Sequence, residues 1–292
     1  MSFTIITDTS ANLPEAFLRE EEIHTVAFPY TTLGRERSGV RPEDFDGEQF
    51  YSAMRMGMGV RTSLISPQRY GESFRALLRD GRDLLYIGMS SGISNSMHCA
   101  TLAASELAGE FPGQRIYAVD SLGASLGEGL LVYAAADCRR RGMDAGETAE
   151  RLLALRRRVC QVFTVDDLMY LKRGGRLSSA AAIVGTVLQI KPLLKGDGEG
   201  KIVCCGKARG RRRAVEALAE RWEALAEAPE TQTVGIAHAD CLQDAERLKE
   251  LLRRKTPPKE IVTVMYEPVT GSHVGPGTLA LFFLGGEDVR SR

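Results

Sequence analysis

The stretch LLYIGMSSGISNSMHCATLAASEL, Leu84 to Leu107, decides the fold class. Leu84 to Gly88 is a compact apolar run of strand length. A hydroxyl-rich loop follows, Ser90-Ser91-Gly92-Ile93-Ser94-Asn95-Ser96. Ser94 to Ala108 then carries a helical pattern. Strand, polar loop and helix form one step of an alternating α/β chain, and the same step recurs on both sides. Upstream, Phe3 to Thr7 is a strand ending in Asp8-Thr9-Ser10, and Leu13-Pro14 opens a helix. Thr25 to Tyr30 reads as a second strand, and charged, Gly-punctuated Gly34 to Phe45 as a loop or hairpin. Ser66 caps a helix that starts at Pro67 and runs to Leu78. Downstream come a strand from Arg115 to Asp120, an Ala-rich helix from Ser125 to Arg140, and a helix from the Asp144 cap to Arg157. This order predicts a mainly parallel sheet covered by helices on both faces, a three-layer α/β/α domain.

The second half changes character. Gln161 to Val165 reads as a strand, and Asp166 to Leu171 and Ser178 to Ile190 as helices. Leu193-Leu194 and Ile202 to Cys204 flank a Gly-rich turn and predict a β-hairpin. Helices are expected over Arg211 to Ala226 and Asp244 to Arg254, and strands over Val234 to Ala237, Ile261 to Met265 and Thr278 to Leu284. A hairpin beside αβ units implies a mixed sheet. The expected division is an N-terminal α/β domain, 1–157, and a C-terminal α/β domain, 158–292. In open α/β sheets ligands sit at the carboxyl ends of strands, where the polar loops of this chain fall.

Composition limits the function classes. The chain has 292 residues, with 38 Lys plus Arg against 38 Asp plus Glu. A neutral balance argues against a nucleic-acid coat, which needs surplus cations. Met1 to Ser10 lacks the basic and apolar regions of a signal peptide. Leu177 to Ile190 is uncharged but shorter than the ~20 residues that span a bilayer. The six cysteines show no metal-ligand spacing and read as reduced thiols of a cytoplasmic protein. No metal or cofactor motif appears, and both G-x-G-x-x-G after the first strand and G-x-x-x-x-G-K-[ST] are absent.

Four polar clusters lie at strand ends. Asp8-Thr9-Ser10 reads most simply as a helix cap. Thr62-Ser63, just before the Ser66-Pro67 cap, is placed to point hydroxyls into a cleft. The Ser90–Ser96 loop, at a helix N-terminus, suits an anion or merely caps its helix. Gly271-Ser272-His273-Val274-Gly275-Pro276-Gly277 holds one histidine in a Gly-rich turn before a buried strand, a setting for a ligand contact near neutral pH. Two further segments are basic: Arg173-Gly174-Gly175-Arg176, and Lys207 to Arg213 (KARGRRR), a solvated helix start unless a partner claims it.

Six pieces in order, ITDTSANLP, TSLISP, SSGISNS, YLKRGGRLS, KPLL and GSHVGPGTLALFF, resemble the DegV family over nearly the whole chain. The resemblance implies a two-domain α/β protein with one long-chain fatty acid (roughly C14–C18, such as palmitate) in a cleft between the domains. It implies no catalytic residue, no metal and no cofactor. Family members present the carboxylate to a separate fatty acid kinase for phospholipid metabolism, with room for transient membrane contact. By this resemblance Thr62, Ser63, Ser91, Ser94 and His273 lie at the carboxylate. The Leu177–Ile190 helix borders the tail, with Ile183, Val184 and Val187 as lining candidates. Arg173, Arg176 and Arg209 are candidates for a kinase-facing surface. The family's usual Ser-Gly-Thr is Ser94-Asn95-Ser96 here.

The chemistry suits a carrier. A buried carboxylate needs convergent hydrogen-bond donors. The tail adds ~0.8 kcal/mol per buried methylene, roughly 11 kcal/mol for about fourteen of them before entropic costs. Two competing readings remain. One is an acyl hydrolase or phosphotransferase using Ser90 or Ser91 with His273, because Gly88-Met89-Ser90-Ser91-Gly92 fits G-x-S-x-G. The other is a regulator that binds DNA or protein through KARGRRR.

Overall fold

The computed structural model describes residues 3–38, 44–177, 189–287 and 289–291. In chain order the elements are β1 (Thr4–Asp8), α1 (Glu15–Glu20), β2 (His24–Val26), β3 (Tyr30–Thr32), β4 (Arg35–Arg37), α2 (Gly47–Arg55), β5 (Val60–Thr62) and α3 (Pro67–Leu78). Then come β6 (Leu84–Gly88), α4 (Ser96–Leu107), β7 (Ile116–Asp120), α5 (Leu126–Arg140), α6 (Ala145–Leu155), β8 (Val159–Thr164), α7 (Met169–Arg173) and β9 (Ile190–Gly196). The last are β10 (Ile202–Arg209), α8 (Arg211–Leu225), β11 (Thr233–His238), α9 (Leu242–Lys255), β12 (Glu260–Met265), α10 (Pro268–Val274) and β13 (Leu279–Leu284).

The chain divides into two compact units. One comprises Met1–Phe45 and Arg61–Arg156, the other Asp46–Val60 and Arg157–Arg292. The sequence reading kept 46–60 with the N-terminal half. The structure places this segment with the second unit, where α2 packs against α10 and the fully buried Tyr51 hydroxyl donates to the Tyr266 carbonyl at 2.7 Å. Residues far apart in sequence make this contact, so local pattern does not reveal it.

The first unit is built on a parallel sheet in the order β2-β1-β6-β7. Every residue of β1 and β6 is buried. Successive side chains of a strand point to opposite faces, so helices cover both faces. α3 pairs with α4, and α5 with α6. The Ser66 hydroxyl accepts from Arg69 N, and Pro67 opens α3. Tyr70, Phe74 and Tyr86 then pack their rings with centroids 5.2–5.6 Å apart. The expected strand Thr25 to Tyr30 is instead two strands in two sheets. Pro29 has no N–H to give to a ladder, and the chain switches there from β2 to the small sheet β4-β3-β5. β3 and β4 form the hairpin through Leu33-Gly34, both at positive φ.

The second unit has a mixed sheet in the order β10-β9-β8-β13-β11-β12, antiparallel except for β11-β12. The β9-β10 hairpin turns where the glycines predict, with a bulge between Cys204 and Gly206. α8 and α9 pack on each other and on this sheet. Trp222 is fully buried there, edge-on to Phe283, and its indole N–H donates to the Thr256 carbonyl at 2.8 Å. The expected helix Ser178–Ile190 falls mostly outside the described residues, and Ile183, Val184 and Val187 lie there too. Ile190 itself opens β9 rather than ending a helix. The helix expected over Asp166 to Leu171 is shorter and later, at α7. Among the described residues no helix is long and apolar enough to cross a membrane.

Candidate ligand-binding site

Unit one presents two polar loops at the strand ends, and hydrogen bonds join them. Thr62 ends β5 half-buried, and Ser63, exposed, is held by its N–H to the Pro29 carbonyl at 3.1 Å. Two residues on, Ile65 N donates to Ser96 Oγ at 3.1 Å. Ser96 in turn is bonded to Ser94, whose Oγ accepts from Ser96 N at 3.3 Å and bonds to Ser96 Oγ at 3.1 Å. The Thr62-Ser63 segment and the Ser-rich loop, 31 residues apart at the Ile65–Ser96 bond, are therefore one assembly. Asn95 stands at the start of α4 with no side-chain cap bond, and Ser94 Oγ meets the first helical N–H instead.

Ser91 is exposed, and its hydroxyl donates to Asp120 Oδ2 at 2.6 Å, while its N–H meets Oδ1 at 3.2 Å. Asp120 ends β7, so this bond ties neighbouring strand ends together. Ser90 behaves differently. It is fully buried, its N–H donates to the Gly123 carbonyl, and its Oγ accepts from Gly92 N at 3.0 Å. A nucleophile elbow holds its Oγ out at the top of the sheet. Here the oxygen is turned inward to shape the loop.

In unit two, His273 does not sit in the Gly-rich turn but on α10 just before it. Glu267 builds this short helix: its carboxylate accepts from Val269 N and Thr270 N, both at 2.6 Å, and Pro268 takes the first turn. The turn follows with Gly275 at φ +82°, where a Cβ would run into the Tyr170 ring. Gly174 packs so closely on His273 Nδ1 that a side chain there would collide with the imidazole. The Arg-Gly-Gly-Arg segment and the histidine turn thus fold onto each other.

Burial, and then the adjacent Arg176 cation, push the His273 imidazole down to about 4. It is neutral at neutral pH and offers one N–H donor to an anion. Arg176, expected on a partner-facing surface, is half-buried, with its guanidinium on the Gly174 carbonyl at 2.5 Å, and its charge acts on His273. Arg173 is exposed on α7, and Arg209 exposed on β10. Arg209 borders a groove of about 570 Å³ between β10 and α8, with Lys207, Arg213 and Glu220 among its walls. The three arginines of the run that open α8 are paired: Arg211 with Asp244, Arg212 with Glu216, Arg213 with Glu220. Such pairing lowers the local charge surplus that phosphate binding needs. Among the described residues no group of His, Cys, Asp and Glu could hold a metal ion.

A sequence profile of the DegV family, described as "Uncharacterised protein, DegV family", matches residues 2–285. A DegV domain-containing protein of Clostridium perfringens is 36% identical over 283 residues, covering 97% of each chain. Among solved structures, a DegV family protein of Thermus thermophilus, described by its fatty acid binding, superposes with a TM-score of 0.88 at 28% identity. That match covers 98% of this chain and 100% of the other. DegV of Bacillus subtilis, described as a fatty acid binding protein, gives a TM-score of 0.82 at 26% identity, with 98% and 100% covered. This chain belongs to the DegV family.

Proposed function

We propose that this chain binds one long-chain fatty acid, buries its tail, and presents the carboxylate to a separate fatty acid kinase in the cytoplasm. Thr62, Ser63, Ser91, Ser94 and His273 receive the carboxylate. The observation that carries the reading is the whole-length likeness to the Thermus protein described by its fatty acid binding. The chemistry of the candidate residues supports it. A neutral imidazole and hydroxyls can satisfy a carboxylate without a tight ion pair, so the acid remains transferable. Ser91 exchanges Asp120 for the ligand when the acid arrives. Arg176 lends a positive field at His273 from the side. Arg173, Arg176 and Arg209 belong to the surface that meets the kinase. The inward, hydrogen-bonded Ser90 oxygen favours a carrier over a Ser/His hydrolase.

The test is mass spectrometry of an organic extract of the purified, denatured protein. One fatty acid at close to one per chain is expected. His273→Ala should lower affinity for a reloaded acid about five- to tenfold, the loss of one charge-assisted hydrogen bond. A clean extract with no uptake of any offered long-chain acid would sink the reading. Acyl-phosphate formation when the loaded protein meets a fatty acid kinase tests the partner.

A further inference from the structure

The Ser-rich loop of unit one faces a carboxylate of the chain's own. Asp120 ends β7 opposite Gly88 of β6, and its two oxygens do different work. Oδ1 accepts from two backbone groups, Leu122 N at 2.9 Å and Ser91 N at 3.2 Å. Oδ2 accepts from the Ser91 hydroxyl at 2.6 Å. Arg156 donates to the Asp120 backbone carbonyl at 2.7 Å, a bond to the main chain and not to the carboxylate. Ser91 is exposed and Asp120 half-buried, so a head group can reach the pair.

A hydroxyl has one hydrogen. While Asp120 holds it, Ser91 Oγ turns only lone pairs outward. An anion arriving at Ser91 must first take the hydrogen from Asp120. An acceptor bonded to Ser91 Oγ also lies within roughly 5.6 Å of Asp120 Oδ2, because O–H···O contacts run to about 3.0 Å. Two negative charges at that separation repel. Both effects weaken an anion and spare a neutral head group. An alcohol gives its own hydrogen to Ser91 Oγ and carries no charge.

We propose that Asp120 is a resident competitor for the Ser91 hydrogen and sets how tightly and how selectively the chain holds an anionic head group. The inference rests on the reading of Ser91 as a carboxylate ligand. Asp120 touches no ligand itself and acts through the serine. Departure of the acid returns the hydrogen to Asp120, which favours hand-over to the next protein.

The loop is held together without Oδ2. Ser90 N donates to the Gly123 carbonyl at 2.8 Å, Ser121 N to the Gly88 carbonyl at 3.1 Å, and Gly123 N to Ser121 Oγ at 3.1 Å. Asp120→Asn therefore separates the two roles of the carboxylate. With its oxygen in the Oδ1 position the amide keeps both backbone bonds. Its NH2 then stands in the Oδ2 position, donates to Ser91 Oγ and frees the serine hydrogen for a ligand.

The test titrates the delipidated full chain with palmitate and with hexadecanol. Asp120→Asn should bind palmitate about five- to tenfold tighter, the size of one hydrogen bond, and hexadecanol within about twofold of wild type. Damage to the fold would weaken both ligands, so a gain for the acid alone is specific. In a Ser91→Ala background the gain should shrink to about twofold or less, since no hydrogen is left to release. An undiminished gain there shows charge repulsion alone and overturns the shared hydrogen. In the wild-type chain, where no variant has to fold, the 13C carboxyl signal of Asp120 should move with palmitate and stay with hexadecanol. A signal unmoved by palmitate overturns the proposal. Wild-type binding of palmitate with no gain in Asp120→Asn overturns this inference alone. A wild-type chain that takes up no acid overturns the fatty-acid reading and this inference with it.

Discussion

His273 shows how burial and one neighbour set a residue's chemistry. Its ordinary value near ~6.5 would leave it partly charged in a cell. Desolvation and Arg176 bring it to about 4, so it stays neutral. The unfolded chain therefore takes up a proton on this side chain before the folded chain does. Stability that this site contributes at pH 7 is lost as pH falls from about 6.5 to about 4. His273→Gln should flatten that part of the pH dependence, read from urea midpoints at pH 7 and pH 4.5; an unchanged slope would refute it. Arg176→Gln should raise the His273 titration midpoint in an NMR pH series. Gly174 and His273 make the same point sterically. The glycines of the Arg-Gly-Gly-Arg segment are plain in the sequence as turn-formers, but only the fold shows one of them packed on an imidazole.

Elements with strong local signals were legible. Ser66-Pro67 announces α3, and Asp144 announces α6. In α6 the reciprocal capping box is complete: Glu147 N donates to Asp144 Oδ1 at 2.8 Å, and Asp144 N to Glu147 Oε2 at 3.0 Å. Asp144→Ala should cost about 1 kcal/mol, seen as a lower urea midpoint with unchanged denaturant slope. A midpoint equal to wild type would show the cap to be idle. α2 and α10 were missed for opposite reasons. α2 carries an ordinary amphipathic pattern, but it follows a long charged segment, and its apolar face is completed by α10. α10 contains Gly271, Ser272 and two valines, a poor helix by propensity. Glu267 and Pro268 could have flagged it, because an acceptor followed by proline marks a helix start. The missed helix matters, since it carries His273.

At the scale of the whole chain, a bound ligand adds to stability by mass action. Removing a fatty acid present at about a hundred times its Kd should cost about 2.7 kcal/mol. Thermal scans of extracted and reloaded protein should thus differ by several degrees, and coincident transitions would argue against ligand linkage. Much of the architecture followed from sequence alone: the strand-loop-helix order requires a parallel sheet, the Gly-rich turn at 196–200 requires a hairpin, and the motifs identify the family. These are local or sequential properties, carried by period, turn chemistry and order along the chain. The tertiary structure alone decided that 46–60 packs with the second unit, that the Arg176 charge acts on His273, that Ser91 is bound to Asp120, and that Glu128 and Asp8 meet across one hydroxyl. Charge state, burial and hydrogen-bond claims depend on partners distant in sequence, and no local pattern encodes them.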